Sequence, residues 1–125
     1  MARVERGVIE CARAVSAELG AGRPLEDYER SLARHLQQSN LKFAEQYPFG
    51  VPFDGPPDRG FHADFVVEAW VLLELKAVDR LTDEHAAQAR EYLRESGCRL
   101  CLLINFGRPE LVIQRLVPDD VTHAQ

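Results

Sequence analysis

This chain of 125 residues has no long hydrophobic stretch, no surplus of basic charge and only three cysteines. No apolar run approaches the roughly 20 residues that a membrane-spanning helix needs. The N-terminal segment MARVERGVIE carries Glu5 and Glu10 and lacks the apolar core of a signal peptide, so nothing indicates export. We therefore expect a protein that does not enter a membrane, and the cytoplasm is its default location.

The three cysteines do not predict a disulfide framework, because Cys11, Cys98 and Cys101 are an odd number at irregular spacing. Cys98 and Cys101 form a CxxC, but the sequence offers no further ligands to close a zinc or iron–sulfur site around them. Thiol catalysis would require reactive thiols of low pKa. We interpret the cysteines as buried structural residues.

The charge balance has no basic surplus, since 15 Lys and Arg face 20 Asp and Glu for a net charge of −5. General binding to nucleic acid prefers a basic face, so the composition disfavours it. A small site that carries its own metal ion can still meet a phosphate, because the ion inverts the local charge. Phosphodiester chemistry therefore stays open.

What the chain does contain predicts one globular α/β domain over residues 1–125. Apolar residues make up 46% and charged residues 28%, an ordinary globular balance. Helical spacing of apolar residues predicts helices over 3–19, from Pro24 to about Asn40, and over 82–96. The predicted strands cover residues 41–47, 61–67, 70–77, 99–106 and 110–117.

The connections fit this order of elements. Glu68 and Ala69 form a tight hairpin, and the Pro- and Gly-rich run PFGVPFDGPPDRG is a loop with room for a short strand around residues 51–53. Helices and strands arranged in this way predict a mixed sheet covered by helices.

The stretch VLLELKAV places two charges inside an apolar strand. Alternation puts Glu74 and Lys76 on one face, together with Trp70 and Leu72. A hairpin would set Asp64 of the preceding strand beside them, and two carboxylates on adjacent strands suit Mg²⁺ or Mn²⁺. The alternative is a simple ion pair at a solvent-facing edge, which the E-x-K pattern alone favours; Asp64 shifts the balance towards a site.

The segments FHADFVVEAWVLLELKAVDRLTDEHAAQAREYL and CLLINFG resemble the small GxxExxY proteins, a branch of the PD-(D/E)XK nuclease-like superfamily. Asp64 matches the motif aspartate, Glu74 and Lys76 the E-x-K pair, and Gln88 the glutamine of the following helix. The resemblance implies a restriction-endonuclease-like αβββαβ core and Mg²⁺-dependent hydrolysis of DNA or RNA. The substrate of this branch is generally unassigned.

Further residues are candidates for supporting roles. His85, Gln88 and Tyr92 share one helix face, although Tyr92 could equally be core packing and His85 is more often a surface residue. His62 lies two residues before Asp64 and could contact phosphate, or be an ordinary strand residue. The resemblance also implies that Gln46 could brace the metal-binding carboxylates.

One position departs from the family pattern. Gly22 and Tyr28 align with the glycine and tyrosine, but Leu25 occupies the glutamate position. Glu26 is one place along and points about 100° away on a helix. Pro24 could shift the helix start and partly restore the carboxylate.

Two functional hypotheses follow. In the first, Asp64, Glu74 and the carbonyl of Leu75 hold Mg²⁺ (with Mn²⁺ as the alternative), Lys76 orients the attacking water, and Gln88 helps to place the scissile phosphate. In the second, the chain is a non-catalytic module of the same fold that binds nucleic acid or a protein. A homodimer is compatible with either hypothesis, and nothing in the sequence fixes it.

Overall fold

The computed structural model describes residues 2–49 and 61–118, and within them it contains three helices and five strands. All of the predicted elements that fall in these ranges are present, with ends shifted by a few residues. The short strand considered around residues 51–53 lies outside the described residues. The elements are α1 Ala2–Leu19, α2 Leu25–Gln38, β1 Phe43–Phe49, β2 Phe61–Val67, β3 Val71–Lys76, α3 Asp83–Ser96, β4 Leu100–Asn105 and β5 Val112–Leu116.

The strands form one mixed sheet in the order β1-β2-β3-β4-β5. The first three strands are antiparallel to one another, β3 and β4 are parallel, and β5 returns antiparallel to β4. A parallel pair requires a crossover connection, which α3 supplies. The predicted mixed sheet flanked by helices is therefore confirmed.

One face of the sheet carries the larger apolar cluster, formed with α1 and α2. The Tyr28 ring of α2 stacks on Phe106 with 4.8 Å between ring centroids. Its hydroxyl donates to the Gly20 carbonyl (2.5 Å) and accepts from the Arg23 backbone N–H (3.2 Å). These contacts fix the start of α2 against the core. The cluster includes Val8, Val15, Leu32, Leu73, Leu75 and Leu102.

The opposite face is covered by α3, which packs Ala89 and Leu93 against a second apolar cluster. Its N-terminus is a capping box: Thr82 Oγ1 accepts from the His85 N–H (3.2 Å), and His85 Nδ1 accepts from the Thr82 N–H (3.0 Å). The ring of His85 therefore satisfies a free helix-end donor. No described helix is long and apolar enough to cross a membrane.

All three cysteines are free and buried, as expected for structural thiols. Burial raises the pKa of the Cys101 thiol above its ordinary value. Thiol catalysis needs a lowered pKa, so this environment opposes it.

The expectation for Trp70 is wrong. Glu68 and Ala69 have φ angles of 52° and 66°, and Trp70 N–H donates to the Val67 carbonyl at 3.1 Å, so the turn includes residue 70 and β3 begins at Val71. Trp70 packs against the cluster of α1 and α2 rather than sharing a face with Glu74. Strict alternation holds only inside a strand, and a turn of left-handed residues redirects the side chain that follows it.

Candidate active site

The candidate site lies where β2 and β3 separate. Their pairing runs from Val67 and Val71 to Phe65 and Leu73 and stops there. One step further, Asp64 Oδ2 accepts a hydrogen bond from the Leu75 backbone N–H at 2.7 Å. The carboxylate thus takes the place of a backbone hydrogen bond between β2 and β3. This contact holds the Asp64 side chain against β3 beside Glu74.

Glu74 is a buried carboxylate without a hydrogen-bonding partner on one oxygen. The residue is 5% exposed, and its Oε2 finds no partner within the described residues. Burial and then repulsion from Asp64 raise the pKa of Glu74 to about 8. An unsatisfied carboxylate of this kind is costly to bury unless a cation or proton compensates for it.

Asp64 shares this environment. Burial raises the pKa of its carboxyl group, while the Leu75 N–H, the charge of Lys76 and a hydrogen bond from the Gln46 side chain oppose the rise. Two neighbouring carboxylates with raised pKa values favour binding of one proton or of a cation. A divalent cation would neutralise both.

Two residues of α3, Gln88 and Tyr92, lie on the side of the sheet that carries the carboxylates and Lys76. Lys76 Nζ lies 3.5 Å from Gln88 Oε1. Burial raises the pKa of the Tyr92 hydroxyl, and the charges of Glu74 and Asp64 raise it further. Gln88 and Tyr92 lie one helical turn apart, so a single face of α3 contributes both side chains.

The accessory candidates Gln46, Glu26, His62 and His85 have different outcomes. Gln46 lies on β1 with a φ of 48°, which is unusual for a residue other than glycine, and its side chain reaches Asp64. Glu26 is exposed on the first turn of α2. The side chain of His62 lies outside the described part of the chain. The side chain of His85 is used in the capping box of α3, so it is not placed with the carboxylates.

Glu29 was missed by the sequence analysis. It is half-buried on α2, and its pKa is raised by burial and then by the charge of Asp64, followed by those of Glu26 and Glu45. Glu29 follows Leu25 by four residues, so the two positions share one helix face. A search one turn beyond Leu25 could have found this carboxylate.

The carboxylates are not a complete ligand set by themselves. Within the described residues, no group of three or more His, Cys, Asp or Glu side chains is arranged to hold a metal ion. A cation at Asp64 and Glu74 would therefore need backbone oxygen or water as further ligands. Such mixed oxygen sets are usual for Mg²⁺.

Asn105 was also missed, and it holds the chain directly after Lys76. Its buried side chain accepts from the backbone N–H groups of Val78 and Gly107 (both 3.0 Å) and donates to the Val78 carbonyl (2.9 Å). The Phe106 N–H donates to the Lys76 carbonyl at 2.8 Å. Gly107 lies so close that an added Cβ would be 2.2 Å from the Val78 oxygen. We call these contacts the Asn105 clasp.

Comparison with known proteins gives a consistent picture. A family model for the PD-(D/E)XK nuclease superfamily matches residues 2–116. No curated protein matches the chain. Among solved structures, the chain is similar to the alkaline exonuclease LHK-Exo of Laribacter hongkongensis, with 18% identity and a TM-score of 0.55 over 80% of this chain and 58% of that one.

The crystal structure of LHK-Exo in complex with dAMP gives similar values, with 18% identity, a TM-score of 0.56, and 80% and 57% of the two chains covered. At this identity the likeness establishes a shared fold. The chain spans about 58% of the length of the exonuclease it matches.

Proposed function

Because the chain belongs to the PD-(D/E)XK nuclease superfamily, we propose that it is a divalent-metal-dependent nuclease of the GxxExxY branch. It would hydrolyse phosphodiester bonds of DNA or RNA. The observation that supports this proposal most directly is the buried Glu74 carboxylate beside Asp64, with one oxygen lacking a partner within the described residues. The exonuclease of similar fold, described in complex with dAMP, adds support for a nucleic-acid substrate.

The residues at this position fit a hard divalent cation. Nucleases of this superfamily generally use divalent metals, and Asp64, Glu74 and the carbonyl of Leu75 would offer oxygen ligands to Mg²⁺ or Mn²⁺. When bound, the cation would neutralise the carboxylate pair and polarise the scissile phosphate. The free oxygen of Glu74 would then have the partner that burial requires.

Lys76 and Gln88 are assigned to the reacting phosphate and water. Their side chains are 3.5 Å apart, so the amide can hold the ammonium in one position. The ammonium would orient the attacking water and offset negative charge on the phosphate. Gln46 would position the Asp64 carboxylate through its side-chain hydrogen bond, and Tyr92 would support the site from the same face of α3 as Gln88.

Glu29 bears on the choice between an active enzyme and a non-catalytic module. The substitution at Leu25 suggested that a carboxylate was lost, but Glu29 supplies one from the same helix face. We assign Glu29 as an accessory residue that attracts a cation towards Asp64. This favours the active nuclease. A single domain over residues 1–125, a cytoplasmic location and a homodimer remain predictions.

Cleavage assays test the proposal. Wild-type protein should cleave single- or double-stranded DNA or RNA with Mg²⁺ or Mn²⁺, and chelation should stop the reaction. Asp64→Ala and Lys76→Ala should each reduce the rate by about 100-fold or more. Activity that persists in either variant shows that the assignment is wrong.

Calorimetric titration with Mn²⁺ separates binding from catalysis. Glu74→Ala should abolish the binding heat, and Glu29→Gln should weaken binding by about tenfold. Glu26→Gln is the matched control, because it removes an exposed carboxylate from the same helix and should leave affinity unchanged. Binding without cleavage of any of the four substrates would instead favour the non-catalytic module.

A further inference from the structure

A groove of about 410 Å³ opens beside α3, over β1 and β2. Ala44 and Val66, which are paired across these strands, form its floor. Ser96 at the end of α3 and Cys98 just after the helix form one wall. Small residues on the floor leave room above the sheet, and the volume falls within the range of small-molecule sites. The groove is therefore large enough for part of a ligand.

The groove adjoins the candidate active site. Val66 lies two residues beyond Asp64 on β2, which corresponds to about 7 Å along a strand. Tyr47, which also lines the groove, is paired with Ala63, the residue before Asp64. Ser96 is one helical turn beyond Tyr92. A nucleoside attached to a phosphate at Asp64 could thus extend into the groove.

The lining suits a base better than a second phosphate. Tyr47 is 48% exposed although it is a large aromatic residue, so its ring is open to stacking. At the far end, Lys42 is accompanied by Glu68, whose Oε2 accepts from the Lys42 backbone N–H at 2.9 Å. One positive and one negative residue therefore line this end, which disfavours a second anion, and the Glu68 carboxylate can accept from a base amino group.

We propose that this groove is a nucleobase subsite for an unpaired strand, in which a base next to the scissile phosphate stacks on Tyr47. Exposed aromatic rings beside a phosphate path are a common means of holding single strands. A base inside a duplex is already paired and stacked, so it is not free to enter. The inference rests on the proposed function and adds single-stranded nucleic acid as the preferred substrate.

Fluorescence anisotropy with a labelled single-stranded DNA of about ten nucleotides tests the subsite. The Lys76→Ala protein in Mg²⁺ serves as the parent, because it should bind without cleaving. Adding Tyr47→Ala should weaken binding by about tenfold, whereas Tyr47→Phe retains the ring and should bind within about twofold of the parent. Val112→Ala, which removes a similarly exposed apolar side chain from β5, is the matched control and should have no effect.

Abasic nucleotides identify the contact. One abasic position should weaken binding to the parent by the same factor as Tyr47→Ala, and should weaken binding to the Tyr47→Ala protein no further. Annealing the complementary strand should remove the dependence on Tyr47. Parental affinity in Tyr47→Ala, or additive losses at every abasic position, would overturn the subsite.

Metal binding distinguishes failure of the subsite from failure of the nuclease. Tyr47→Ala in an otherwise wild-type protein should bind Mn²⁺ with unchanged affinity in calorimetry. If the parent does not bind single strands while wild-type protein binds Mn²⁺ and cleaves duplex, only the subsite is refuted. If wild-type protein neither binds Mn²⁺ nor hydrolyses any substrate, the nuclease proposal fails as well.

Discussion

The two faces of β3 are buried to nearly the same degree, but they differ in the partners that their side chains find. Leu73 and Leu75 are 0% and 1% exposed and pack into the cluster with α1 and α2. Glu74, between them, is 5% exposed on the opposite face, and one of its oxygens has no partner among the described residues. The difference shows that an unsatisfied polar atom, rather than exposure, distinguishes the candidate functional position in this strand.

The largest expected effect is on the free energy of unfolding, and it should differ between the two faces of β3. Leu73→Ala should lower the free energy of unfolding by about 3 kcal/mol, because it removes buried apolar contacts and leaves a cavity. Glu74→Gln keeps the volume and removes a buried charge, so stability at pH 8 should be unchanged or higher. Urea denaturation without divalent metal measures both values. A comparable loss in the two variants would contradict the distinction between the faces.

The next effect concerns pH. The pKa of Glu74 is about 8 in the folded protein against an ordinary value of 4.5, so the folded state retains a proton that the unfolded state releases between these values. The free energy of unfolding should therefore fall as pH rises through this window. Denaturation in chelator between pH 5 and about 8 tests this prediction.

Glu74→Gln should show a weaker dependence on pH, because its amide does not titrate. Mn²⁺ added at the alkaline end should restore wild-type stability by binding the folded state. A free energy of unfolding that rises across the window in chelator would show that Glu74 is ionised when folded.

The smallest effect tests whether the two faces are independent. Tyr28→Phe keeps the ring that stacks on Phe106 and loses the hydroxyl that contacts Gly20 and Arg23. We expect a loss of about 1 kcal/mol in the free energy of unfolding. Mn²⁺ affinity should not change. A change in Mn²⁺ affinity would show that the packing of α2 is coupled to the carboxylate pair.

Local patterns were sufficient to predict the elements and the neighbouring motif residues. Periodicity in α1 and α3, and alternation inside β3, depend on residues close in sequence, so they could be read from sequence alone. The same alternation failed for Trp70, because the turn at Glu68 and Ala69 uses left-handed backbone conformations that interrupt the strand. The strand boundary was therefore the least reliable part of this prediction.

Long-range contacts could not be read in this way. The direction of Glu29 depends on how α2 packs on the sheet, and Tyr28 stacks on Phe106, the residue that follows β4. The role of Asn105 likewise depends on Val78, which belongs to another connection. A helical-face argument could have suggested Glu29 as a candidate. That the charge of Asp64 raises the pKa of Glu29 depends on tertiary packing, which the sequence does not give.

The Asn105 clasp sets a limit on how this protein can be redesigned. Lys76 is anchored through its carbonyl to Phe106, and the chain two residues later is held by Asn105 and pressed against Gly107. A mutant library that varies the groove or the carboxylates to alter substrate choice should keep positions 105 and 107 fixed. Changes there would displace the lysine backbone and so confound selection for new specificity with loss of the scaffold.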